Sequence, residues 1–166
     1  MPATYEPIAT TTLGSDSTSV VFSSIPQTYT DLIMVFNGYN TVATAMDFEY
    51  EINSDSGSNY SETLLQGDGS SASSSRHSNY GGGIIGSIWS TGRATVIGHF
   101  MNYANTTTYK TCLGRFSTPS GGLVGATVSL WRNTNAITSL NFNQPAGQSG
   151  QFASGSTFTL YGIKAA

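Results

Sequence analysis

The segment Met46–Ile52 (MDFEYEI) alternates apolar and acidic side chains without a break. Period-two alternation marks a strand with one buried and one wet face, because successive side chains point to opposite sides of the pleat. Residues 18–25 (TSVVFSSI) and 31–36 (DLIMVF) are short β-rich runs, the second apolar enough to be covered on both faces. Residues 84–89, 94–103, 108–116, 123–132, 136–142 and 157–163 complete nine segments bounded by Gly, Pro, Asn or Ser. No dozen-residue window places apolar positions at i, i+3, i+4 and i+7 among good helix formers, and the abundant Ser, Thr, Asn and Gly disfavour helix interiors. The pattern predicts an all-β chain: one β-sandwich of jelly-roll or Greek-key type with eight to nine short strands.

The stretches between these runs complete the layout. Residues 1–14 read as an extended N-terminal arm, and residues 66–83 (QGDGSSASSSRHSNYGGG) as one long Ser/Gly-rich loop. Asn133-Thr134-Asn135 reads as a tight hairpin turn, since Asn tolerates the left-handed conformation. No internal repeat of fixed period is present, and 166 residues fit a single domain with a real core.

Charge is scarce at 9% of residues, and small polar side chains (24 Ser, 22 Thr, 11 Asn) supply the surface instead. It is also divided. All nine acids lie before position 69 and all six bases after position 75. Six bases spread over ninety residues form no stripe for phosphate neutralisation, so nucleic acid is not an expected partner. No apolar run reaches membrane-spanning length, and the start MPATYEPIATTTLG has neither the basic nor the apolar region of a signal peptide. The expectation is a protein made in a cytoplasm, with no membrane partner. Cys112 stands alone, which excludes an internal disulfide and a multi-cysteine metal site.

Candidate chemistry is thin. Asp47, Glu49 and Glu51 share one face of their strand, successive carboxylates roughly 6.5–7 Å apart. Such a row could serve glycoside hydrolysis, though alternating acids on a wet face are ordinary and nothing in the sequence separates their pKa values. His99, in mid-strand, reads as a packed or hydrogen-bonded side chain, and His77 falls in the Ser-rich loop. Residues 53–59 resemble a calcium loop, but the EF-hand spacing fails and a Ser/Asp/Gly turn is the plainer account. Trp89 and Trp131, at the ends of strand runs, are the candidates for stacking on a glycan. No phosphate-cradling glycine motif occurs, and no cofactor, catalytic residue or metal ligand is expected. The divided charge makes Asp47, Glu49, Glu51, Arg93, Arg115 and Arg132 candidates for pairing, either within the chain or between copies arranged head to tail.

Four stretches taken together resemble a known group. DSGSNYS (55–61), MNYANTTTYKT (101–111), LWRNTNAITSL (130–140) and GSTFTLYGI (155–163), with YEPIATTTL (5–13) at the start, are similar to small virion structural proteins of cyanophages and other marine tailed phages. The resemblance covers almost the whole chain and implies a non-enzymatic structural role in the virion. The expected role is capsid decoration: a cement protein bound to the outer head surface as a homo-oligomer, a trimer first among the rings. Its other partner would be the major capsid protein or another virion protein. The alternative is a tail-tip or fibre-head module that binds host glycans. A third reading is a small glycan-degrading enzyme using Asp47, Glu49 or Glu51.

Overall fold

A computed structural model describes residues 4–164 and contains twelve strands in two antiparallel sheets, with no α-helix among them. The all-β sandwich agrees with the sequence reading; twelve strands exceed the eight to nine expected. In chain order they are β1 (Tyr5–Thr12), β2 (Ser19–Phe22), β3 (Asp31–Gly38), β4 (Met46–Ile52), β5 (Tyr60–Gly67) and β6 (Ala72–Tyr80). There follow β7 (Gly83–Ile88), β8 (Ala94–Met101), β9 (Lys110–Thr118), β10 (Leu123–Trp131), β11 (Leu140–Asn143) and β12 (Thr157–Ile163). The large sheet runs β1-β12-β3-β8-β9-β10-β5-β6, and the small sheet β2-β11-β4-β7. The chain passes repeatedly from one sheet to the other, so each half of the sequence contributes to both layers.

Alternation decides what lies between the sheets. Met46, Phe48, Tyr50 and Ile52 of β4 are buried, as are Phe36 of β3, Phe142 of β11 and Phe158 of β12. With Phe152 they form a knot of rings whose contacting centroids lie 4.9 to 6.3 Å apart. Tilted and edge-on arrangements of this kind add about 0.5–1.5 kcal/mol per pair beyond the burial of their area. β7 is buried at every position and packs against β8, β9 and β10. Cys112 is a buried, unpaired core residue whose thiol is pushed well above its usual range by burial.

Two stretches differ from expectation. β1 pairs with β12 as an edge strand rather than trailing as an arm, with Pro7 and a bulge interrupting its ladder. Residues 66–83 are the end of β5, a tight turn and all of β6, not a long loop. The Asp68 carboxylate makes the turn by accepting the backbone N–H groups and hydroxyls of Ser70 and Ser71. Those bonds hold its pKa well below the usual carboxylate range. β6 is exposed at every position but His77, so as an edge strand it needs only a paired backbone, and no hydrophobic pattern marks it in the sequence.

Candidate functional site

Because the even positions of β4 fill the core, Asp47, Glu49 and Glu51 point to the outer face of the small sheet. That face floors a recess of about 480 Å³, which is walled by His77 and Tyr80 of β6 and closed by the 145–148 segment. Each acid has an amide, two by register and one from the 145–148 segment. Asn143 lies opposite Glu49 and donates to Oε1 at 3.0 Å; Asn141 lies opposite Glu51 and donates to Oε2 at 3.3 Å. Gln148 donates to Asp47 Oδ2 at 2.7 Å and accepts the Asp47 backbone N–H at 2.9 Å. A Cβ on Gly82 would lie 2.6 Å from Glu49 Cδ, so the glycine leaves the room that this side chain occupies.

Glu62 lies behind this row, 5% exposed on the inward face of β5. It accepts the Ile84 N–H at 2.6 Å and bonds His77 Nδ1 at 3.0 Å. The His77 ring stacks on Tyr80 at 5.0 Å between centroids, and Tyr80 is 41% exposed at the mouth. Burial is the main cause that drives the Glu49 pKa up to about 7; the Asn143 bond opposes it, and repulsion from Glu51, Glu62 and Asp47 adds to it. Burial also raises Glu62, against the pull of His77 and the Ile84 N–H. Asn143 Oδ1 is buried without a hydrogen-bond partner. A neutral Glu49 has the hydroxyl to donate there and close an amide–acid pair; the carboxylate does not.

The structure thus supplies what the sequence did not show: an environment that holds a proton on one carboxyl near pH 7. No three of these acids and imidazoles converge as metal ligands among the described residues.

The other sequence candidates fall elsewhere. The acidic row has amide partners, not the expected bases. Arg93 donates to the Asn37 carbonyl and side-chain oxygens and to the Gly155 carbonyl, lying over the Tyr39 ring. Arg132 donates to the Ser58 carbonyl and to Asn79 Oδ1. Arg115 is exposed on the outer face of the large sheet, with no hydrogen bond or ion pair among the described residues. The two halves of the chain pair at Glu6–Lys164 (2.9 Å), while His99 takes Asp31 (2.9 Å).

Trp131 is corrected as a glycan contact. It is 1% exposed, because the inward face of β10 carries it into the core, and its indole N–H donates to Asp55 Oδ2 at 2.7 Å. Asp55 is also bound by Asn59 and the Gly57 N–H. Burial pushes its pKa up, but these three bonds outweigh it and leave it lowered. Trp89 is half-buried with its indole nitrogen enclosed and unpartnered. Sequence reasoning missed Tyr80 and Glu62 and misplaced His77 in a loop. Only tertiary pairing of β5 with β6 sets them at the recess.

No protein-family model matches this chain, and no curated protein matches it. Among solved structures it is similar to the marine PL-14 alginate lyase from Aplysia kurodai, at 13% identity and a TM-score of 0.42 over 93% of this chain and 79% of that one. It is also similar to a mutant of alginate lyase Aly36B in complex with an alginate tetrasaccharide, at 8% identity and a TM-score of 0.31 over 95% and 80%. Likenesses this distant transfer no residue role. Both are named as lyases, which stands against the expectation of a non-enzymatic chain.

Proposed function

We propose that this chain is a saccharide-binding sandwich module with the recess over β4 as its site. The observation that carries the reading is an exposed aromatic surface, Tyr80 stacked on His77, facing a row of carboxylates. An aromatic face takes the apolar side of a sugar ring, and carboxylates accept its hydroxyls in strong, charge-assisted bonds. The acidic lining favours neutral or amino-bearing saccharides and repels polyuronates, alginate among them. The sequence resemblance supplies a setting, display on a virion appendage. Head decoration, the first expectation from the sequence, becomes the second setting.

Titration calorimetry with neutral, amino and uronic oligosaccharides tests the site. Binding is expected for the first two classes and weakens about 10-fold in Tyr80→Ala, the worth of one aromatic contact. Failure of every saccharide to bind, or binding indifferent to Tyr80→Ala, refutes the proposal. A second reading rests on Glu49: a carboxyl near pKa 7, with Glu51 roughly 6.5–7 Å along the same face, suits inverting glycoside hydrolysis. Release of reducing ends, lost in Glu49→Gln, supports that reading; binding without turnover rejects it.

A further inference from the structure

The outer face of the large sheet is uncovered on the side of the sandwich opposite the recess. Its outward positions on β5, β10, β9 and β8 include Leu65, Val124, Ala126, Val128, Leu113 and Ile97. Register makes them neighbours, with Leu65 beside Ala126, Val128 beside Leu113, and Arg115 between Ala126 and Ile97. Leu65 and Val124 are each 59% exposed, Val128 50% and Leu113 39%. A contiguous apolar patch of this kind on a folded domain marks an interaction site.

Two features select the partner. The first is size. Four strands spaced about 4.8 Å apart, each about eight residues long, make a face of roughly 19 by 26 Å. That is roughly 500 Å² per partner before side-chain relief, or about 1,000 Å² in all, the area a specific interface needs. The second is charge. Arg115 within the patch and Arg76, opposite Thr63 at its β6 edge, are the charges without a partner on this face among the described residues. Asp31, farther along the face, is already engaged by His99 and the Asn102 N–H. Thr63, Thr95, Thr111 and Ser117 stand around the apolar centre as an uncharged hydroxyl rim. The apolar centre carries no acid and one base, so it can be matched by itself, while Arg76 stays in water at the edge.

We propose that this face binds a second copy of the chain about a two-fold axis beside Leu113 and Val128. With the axis across the strands, Arg115 and its copy stand roughly 13 Å apart along β9, each over the Thr111 hydroxyl of the other protomer. At that spacing the two guanidinium groups make no direct contact, and each has the facing Thr111 hydroxyl as an acceptor. The two sheets pack face to face, as the layers of a sandwich do. Both recesses remain open and face outward, so the dimer is bivalent, although its existence does not depend on what the recess binds.

Sedimentation equilibrium of the full chain tests this directly. The expected mass is twice 17.5 kDa, unchanged when 1 M salt shrinks the screening length to about 3 Å. Leu113→Lys weakens association by at least about 100-fold, because it would bury an unpaired ammonium between Arg115 and its copy, and Val128→Lys does the same. Circular dichroism spectra and melting temperatures of both variants stay at the wild-type value, since both positions are exposed. A monomer at every concentration overturns the proposal, as does a dimer indifferent to both substitutions. Association dissolved by salt or by Glu51→Gln also overturns it, because it would point to head-to-tail contact between Arg115 and the acidic recess. A trimer overturns it too. Saccharide binding by a monomer, or a dimer that binds no saccharide, separates this proposal from that of the recess.

Discussion

Replacing Glu49 by Gln reports on the recess without any ligand. The Glu49 pKa stands near 7 against an ordinary 4.5, with burial as the largest cause. Between those values the folded state holds a proton that the unfolded chain releases. Its contribution to stability is therefore fully present below about pH 4.5 and is lost as pH rises through about 7. At full weight the difference corresponds to about 3.4 kcal/mol at 1.36 kcal/mol per tenfold. Glu49 is partly open to water, which screens the effect and leaves about 1–2 kcal/mol. Gln resembles the protonated acid: its amide can donate to the orphaned Asn143 Oδ1 and accept from Nδ2. At pH 8 Glu49→Gln melts about 3–6 °C above wild type, and near pH 4.5 the two converge. Thermal unfolding from pH 4 to 8 measures this. Parallel curves for wild type and variant across that range would refute the assignment of a buried, proton-holding Glu49.

Trp131→Phe keeps the ring in the core but strips Asp55 of its indole donor, costing about 1.5–3 kcal/mol in urea unfolding; a loss under about 0.5 kcal/mol would show that the bond contributes little. Gly114→Ala sets a Cβ against Thr127 Oγ1 and 2.6 Å from the Ile85 carbonyl oxygen, so the sheets must part locally. It destabilises by about 1–3 kcal/mol, and an unchanged melting temperature would mean that the two sheets are not packed there as described. Phe48→Ala opens the centre of the ring cluster and costs about 3–5 kcal/mol, with a cost under about 1 kcal/mol arguing against that cluster as the core. Asp68→Ala removes four bonds at the β5–β6 turn, and backbone amide exchange of β6 should quicken while that of β9 holds. Unchanged β6 exchange in Asp68→Ala would count against Asp68 as the organiser of the turn.

The sandwich was legible because buried faces leave a period-two trace. β4 reads as a strand from Met46 to Ile52 with its acids outward, and that is how it folds. β6 left no such trace: an edge strand exposed on both sides is held by backbone pairing to β5, and backbone bonds are indifferent to Ser. β1 hid in the same way, as an edge strand paired to β12.

The site divides along the same line. Alternation by itself set Asp47, Glu49 and Glu51 on one face, since a side chain's side of a pleat depends only on its position in the strand. The division of charge suggested that bases from the second half would meet them. Residues from the second half do arrive, but they are the amides Asn141, Asn143 and Gln148. The partner across a ladder is fixed by strand order and register, which are long-range choices that local pattern does not encode. The near-neutral pKa of Glu49 and the stacking of Tyr80 on His77 belong to that second kind of information. They arise from burial and from the approach of strands distant in sequence, and only the closed sandwich creates them.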